Sequence, residues 1–106
     1  MKTVRHDKLV RDLIPDIVTA SGQIPVTDTI PREMMAEALD RKLSEEVGEF
    51  IEDHSVEEMA DILEVLHGIA FYMGVPWEEV EKKRLLKREA RGGFEKRVRL
   101  IEVREE

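Results

Sequence analysis

Two groups of acidic residues, each spaced as neighbours on a helix, have the clearest capacity for chemistry in this sequence. Glu46 and Glu49 are three residues apart, and so are Glu58 and Asp61. Residues with this spacing on a helix have about 5–6 Å between their Cβ atoms. If the chain reverses near Asp53, a rise of about 1.5 Å per residue places Glu49 level with Glu58 and Glu46 level with Asp61. The spacing therefore predicts four carboxylates that converge between two antiparallel helices.

Four carboxylates packed this closely would disfavour one another's ionisation and destabilise the fold. A bound divalent cation removes that penalty, and without cysteine the predicted site consists of oxygen ligands. Oxygen ligands favour a hard ion, so the expected cofactor is Mg²⁺, with Mn²⁺ as an alternative. Such an ion can bridge a polyphosphate and activate water, which Glu45 or one of the four ligands would orient as a base. The basic residues expected to bind the phosphates are Lys8, Arg11, Lys87 and Arg91.

Helices must carry these side chains, and the apolar residues recur with helical spacing in the segments concerned. Glu46 lies within about 40° of Leu39 on a helical wheel, which predicts that its side chain is turned partly inward. Glu58 lies a similar angle from Ile62 and Val65. Gly74 is expected to end the second long helix, and Pro76 to begin the third. The predicted helices cover residues 15–20, 31–53, 55–73 and 76–91.

Two segments, 23–30 and 97–104, alternate between apolar and polar residues and predict short strands that pair with each other. The predicted fold is therefore an all-α helical bundle, with three long helices and one short one, plus a minor two-stranded β pairing of the terminal segments. A chain of 106 residues predicts a single domain, 1–106. The helix over 55–73 is apolar on most of its sides, which predicts a homodimer interface.

Composition excludes several classes of protein. The sequence has no cysteine and therefore no disulfide scaffold, and its formal net charge of −7 argues against a nucleic acid polymer as partner. It contains neither an apolar run that would span a membrane nor a secretory signal, so a soluble cytoplasmic protein is expected. Charge is uneven, since residues 33–64 contain 12 acids and 2 bases while residues 81–99 contain 9 bases and 3 acids. The first region suits cations and the second suits anions.

The acidic residues also resemble a known motif. Glu45-Glu46-x-x-Glu49 followed by Glu58-x-x-Asp61 is similar to the EExxE…ExxD signature of the all-α nucleotide pyrophosphohydrolases, the MazG-like superfamily. The segments KLVRDLIP (8–15) and RGGFEK (91–96) are similar to those of its phosphoribosyl-ATP pyrophosphohydrolase-like subgroup. The three blocks follow one another in order over nearly the whole chain.

This resemblance implies a helical bundle that binds Mg²⁺ and hydrolyses the α–β phosphate bond of a nucleotide, giving a monophosphate and pyrophosphate. It implies a dimer or a dimer of dimers. The implied metal ligands are Glu46, Glu49, Glu58 and Asp61, and the residues expected to take part in catalysis are Glu45, Glu46 and Glu49.

Several alternatives remain open on the sequence. Ser55-x-x-Glu58 matches a capping box, in which the Glu58 side chain would bond back to the Ser55 amide instead of binding metal. Glu64-x-x-His67 matches half of a di-iron motif, which requires a second copy that the sequence lacks. The alternative functions are hydrolysis of phosphoribosyl-ATP in histidine biosynthesis and a non-catalytic helical module that binds a nucleotide or a partner protein.

Overall fold

The computed structural model describes residues 2–105, and α-helices make up most of the regular structure in that range. The chain divides into two compact units, Met1–Gly74 and Val75–Glu106. Within residues 2–105, no helix combines the length and apolar character needed to cross a membrane. The helices are α1 (Ile14–Ala20), α2 (Met35–Glu52) and α3 (Val56–Met73) in the first unit and α4 (Trp77–Arg91) in the second.

Local signals explain most of the helix boundaries, and the four predicted helices are confirmed to within a few residues. The Ser55 hydroxyl accepts a hydrogen bond from the Glu58 amide at 3.1 Å, which caps the N-terminus of α3. Gly74 ends α3 in the left-handed region, with φ of 71°, where a residue without a Cβ is favoured. The α-helical part of α2 starts later than predicted, because Pro31 is extended and a 3₁₀ turn over Arg32–Met34 comes first.

The core of the first unit lies between α2 and α3, which are joined by a three-residue connection and run antiparallel. Met35 and Leu39 of α2 are buried against Val65 of α3. The helices approach closely beside Gly68, where an added Cβ would lie 3.3 Å from Leu39 Cδ2. Half-buried residues from the preceding loops and from both helices complete the cluster: Leu9, Ile30, Leu43 and Ile69. This hairpin of two helices is the platform on which the acidic residues lie.

The predicted β pairing is wrong, since the described residues contain no strand. In segment 23–30 the apolar residues Ile24 and Val26 are 84% and 95% exposed, so their alternation does not face a core. In segment 97–104, Arg97 has φ of 56°, a left-handed conformation that interrupts an extended chain. An alternating pattern stabilises a strand only when one face is buried, and here neither segment buries one.

Candidate metal centre

Three of the predicted ligands come together between α2 and α3. Glu46, Glu58 and Asp61 each offer a carboxylate oxygen, and these oxygens all lie within 4.8 Å of one another. We call these three residues the acidic triad. Glu46 is 6% exposed, as its position beside the core residue Leu39 predicted, and the other two side chains are half-buried. The prediction that carboxylates from both helices converge is confirmed for these three residues.

Two oxygens of the triad are buried without a partner. Within residues 2–105, neither Glu46 Oε2 nor Glu58 Oε2 has a hydrogen-bond partner. Buried polar atoms in proteins are almost always satisfied, and an unsatisfied one indicates a strained site, a missing water or a missing ion. A cation between the two oxygens would satisfy both at once. The residues present therefore fit a divalent cation with oxygen ligands.

The crowding of negative charge shows in the pKa of Glu58. Loss of hydration and the nearby charges of Glu49, Glu46 and Asp61 raise the pKa of Glu58 to about 7. The geometry gives the same cause, because Glu58 Oε2 is buried and its ligand oxygen lies close to those of two other acids. Without a cation, Glu58 is therefore partly protonated at neutral pH, and its proton relieves the repulsion within the triad.

The capping-box alternative for Glu58 does not describe the observed contacts. Only half of the motif forms, in which the Ser55 hydroxyl accepts from the Glu58 amide. The Ser55 amide donates instead to the Asp53 carbonyl, at 2.7 Å. The Glu58 side chain is therefore not needed for the cap and contributes to the acidic triad.

Glu49, the fourth predicted ligand, has a different environment. It is exposed on α2 and lies outside the group of carboxylates that come together. Its negative charge still contributes to the raised pKa of Glu58, which places it near the triad. His67 is half-buried on α3 and is also outside this group, so the half-motif Glu64-x-x-His67 does not extend the triad.

The basic residues of the N-terminal segment pair with the acidic residues of the hairpin. Lys8 Nζ lies 3.0 Å from Glu45 Oε1, and Arg11 Nη2 lies 2.7 Å from Asp61 Oδ1. The hydrogen bond from Lys8 lowers the pKa of Glu45, while the bond to Glu45 raises the pKa of Lys8. Both predicted phosphate-binding residues of this segment thus lie beside the predicted site.

One basic residue of the site was missed by the sequence analysis. Lys42 of α2 has a side chain only 16% exposed, and its Nζ lies 3.4 Å from Glu46 Oε1 and 3.5 Å from Glu45 Oε2. Its spacing of three and four residues from these acids was a visible signal, because such pairs are neighbours on a helix.

The remaining predicted phosphate-binding residues, Lys87 and Arg91, lie on α4 in the second compact unit, and both are exposed. Their neighbour Arg88 forms an ion pair with Glu95 across the end of the helix, at 2.7 Å. Basic residues dominate the last turns of α4, as the charge distribution predicted.

A separate hollow of about 240 Å³ lies where α2 begins and α3 ends. It is lined almost wholly by apolar surface, from Ala36, Leu39, Asp40, Ile69, Tyr72 and Met73. It contains none of the triad residues. Hydrolytic chemistry requires polar groups that converge, so the candidate site is the acidic triad and not this hollow.

Comparison with known proteins finds similarity over part of the chain. No family model matches the chain, and no solved structure matches it. An uncharacterized protein of Mycolicibacterium smegmatis is 50% identical to the chain over 42 residues. This match spans 40% of the chain and 43% of that protein, which is less than half of either.

Proposed function

We propose that this protein is a Mg²⁺-dependent nucleotide pyrophosphohydrolase that cleaves the α–β phosphate bond of a nucleoside triphosphate. The observation that carries the proposal is the acidic triad, in which Glu46 is 6% exposed and two carboxylate oxygens are buried without a partner among residues 2–105. The resemblance of the acidic, N-terminal and C-terminal blocks to MazG-like proteins supports this chemistry for the triad. The products would be a nucleoside monophosphate and pyrophosphate.

Glu46, Glu58 and Asp61 would hold the ion, and Glu49 is positioned near Glu58 as a further oxygen donor. When bound, Mg²⁺ neutralises phosphate charge and lowers the pKa of a coordinated water. The protein's own task is to keep these carboxylates ionised and oriented. Since burial and repulsion make that costly without the ion, the triad is built to bind a cation.

Glu45 is suited to orienting the attacking water. Its pKa is lowered by the Lys8 hydrogen bond, so it is ionised at neutral pH and its oxygens can accept hydrogen bonds. A lowered pKa also makes it a weak base, which favours orientation of the water over removal of its proton. Glu45 is adjacent in sequence to the triad residue Glu46, and both contact Lys42.

Lys8 and Arg11 supply the positive charge for the phosphates of the substrate. Their side chains are 41% and 54% exposed, so a ligand can reach them where they lie against Glu45 and Asp61. An arginine guanidinium can bind phosphate oxygens through two parallel hydrogen bonds. Lys87 and Arg91 on α4 remain the second pair that we expect to bind phosphate.

A screen for pyrophosphate release tests this function. The purified protein with Mg²⁺ is incubated with ribonucleoside and deoxyribonucleoside triphosphates and with phosphoribosyl-ATP, and both pyrophosphate and orthophosphate are measured. We expect pyrophosphate as the first product, and we expect Glu46→Gln to lower kcat/KM by roughly 100-fold, through loss of a metal ligand. Glu37→Gln is the matched control, since Glu37 is an exposed acid on the same helix.

The other outcomes distinguish the alternatives. Orthophosphate as the first product would contradict α–β cleavage. Pyrophosphate from phosphoribosyl-ATP alone would place the protein in histidine biosynthesis. No release from any of the nucleotides would favour a binding module that uses its ion structurally.

We also propose that the protein assembles as a homodimer or a dimer of dimers. Large apolar side chains on α2 and α3 remain exposed in the first unit, among them Ile51, Val56, Met59 and Phe71, at 60–79%. Exposed apolar surface of this kind is typical of an interface with another protein chain. A second copy would cover it without requiring another partner.

A further inference from the structure

Two basic residues each form an ion pair with one oxygen of a carboxylate in the acidic triad. Lys42 Nζ lies 3.4 Å from Glu46 Oε1, while Glu46 Oε2 is buried without a partner in the described part of the chain. Arg11 Nη2 donates to Asp61 Oδ1 at 2.7 Å, which leaves Oδ2 without that bond. The carboxylates of Glu46 and Asp61 thus each have one oxygen paired with a base, and the other oxygen can bind a ligand.

We propose that Lys42 and Arg11 are positioning residues that restrict Glu46 and Asp61 to one ligand oxygen each and thereby make the site selective for Mg²⁺ over Ca²⁺. This inference rests on the cation-binding part of the proposed function. Neither residue contacts the cation, because both act through the carboxylate between them. Groups that bond to metal ligands in this way fix the orientation of the ligands and tune the affinity for the metal.

The preference follows from the coordination chemistry of the two ions. Ca²⁺ accepts six to eight oxygens at about 2.3–2.6 Å and commonly takes both oxygens of one carboxylate. Mg²⁺ requires six oxygens at about 2.0–2.1 Å in octahedral geometry and keeps several waters. A carboxylate oxygen that already pairs with a cationic base is a weaker metal ligand, which disfavours bidentate binding by Glu46 and Asp61. This costs Ca²⁺ more than Mg²⁺, because Mg²⁺ does not need the second oxygen.

The test compares Mg²⁺ and Ca²⁺ affinities by calorimetric titration in the absence of nucleotide. In the unmodified protein we expect tighter binding of Mg²⁺. In Lys42→Met we expect the ratio of Mg²⁺ to Ca²⁺ affinity to fall by roughly 10-fold, within the range by which outer partners tune metal sites. Arg11→Met should shift the ratio in the same direction. A change in net charge alone would alter both affinities by similar factors and leave their ratio unchanged.

Matched controls remove the same charge from the same elements. Arg41→Met is the control for Lys42, because Arg41 is the neighbouring residue on α2 and pairs with Glu37. Arg5→Met is the control for Arg11, because Arg5 lies in the same N-terminal segment and pairs with Asp7. Both control side chains are 80% exposed, and neither variant should move the ratio. Lys42→Arg, which retains the charge and the donors, should preserve it.

The outcomes separate this inference from the proposed function. An unchanged ratio in both Lys42→Met and Arg11→Met would overturn the positioning role, even if the protein releases pyrophosphate. A shifted ratio would support it, even if no nucleotide is hydrolysed. Failure of the unmodified protein to bind either ion would overturn it outright. Should Lys42→Met fail to fold, as judged by circular dichroism, Arg11→Met decides the question, because Arg11 is an exposed residue outside the core.

Discussion

Glu58 should release a proton when a divalent cation binds to the acidic triad. Its pKa is raised to about 7 by loss of hydration and by the charges of Glu49, Glu46 and Asp61. A cation can bind the Glu58 carboxylate only after the proton has left, so protons and cations compete for the same group. Binding should therefore tighten as the pH rises through 7.

The structure gives the size of this effect. With the pKa of Glu58 at about 7, its carboxyl group carries about 0.9 of a proton at pH 6 and about 0.1 at pH 8. We expect each ion that binds to release about 0.9 of a proton at pH 6 and about 0.1 of a proton at pH 8. The same competition should make the apparent affinity about 10-fold weaker at pH 6 than at pH 8.

Calorimetric titration with Mn²⁺ at both pH values, each in two buffers of different ionisation enthalpy, counts the protons directly. Glu58→Gln should release almost none at either pH, because an amide does not titrate. Its backbone amide still donates to Ser55, so the cap of α3 is retained. Glu57→Gln is the matched control on the same turn, where an exposed carboxyl should leave the proton count unchanged. Equal proton release at pH 6 and pH 8 in the unmodified protein would refute this reasoning.

Three further predictions concern stability and assembly. Without divalent cations, thermal stability should fall as the pH rises from about 5 through 7, because the pKa of Glu58 is about 7 in the folded protein and 4.5 in the unfolded chain. A raised pKa of this kind stabilises the folded protein at low pH, and the stabilisation is lost as the pH rises through 7. Glu58→Gln should flatten the dependence of melting temperature on pH, and an unchanged dependence would contradict the assignment. Ser55→Ala should lower the free energy of unfolding, measured in urea, by about 1 kcal/mol because the cap of α3 is lost, and Ser55→Asp should restore it. An alanine variant as stable as the unmodified protein would show that the cap contributes nothing. Sedimentation equilibrium should give a dimer or tetramer mass, and a monomer at all concentrations would exclude the exposed apolar side chains of α2 and α3 as a self-association surface.

The helices could be predicted because their signals are local. Pro15, Ser55 and Gly74 act on the backbone within a few residues of themselves, so their effect is readable without knowledge of the fold. The inward turn of Glu46 could also be predicted, since helical geometry alone relates it to Leu39. The strand predictions failed because alternation indicates a strand only where a core covers one face, and the first segment, with Val26 95% exposed, has no such cover.

The side of α3 that packs against α2 could not be predicted from the sequence, for a related reason. Met59 and Met73 of this helix are 60% and 69% exposed, while Val65 is buried against α2. A helix that is apolar on most sides does not indicate which side meets its neighbour. That choice depends on the partner helix and on the close approach at Gly68.

The sequence by itself determined where the helices lie and which of them carry the acidic and basic residues, because caps, stop signals and periodicity act over one or two helical turns. Only the tertiary structure decided that Glu46 is buried while Glu49 is exposed, and that Arg11 pairs with Asp61, 50 residues away. The physical reason is that burial and charge pairing depend on which surfaces meet, and the α2–α3 packing that brings these surfaces together joins residues far apart in the chain.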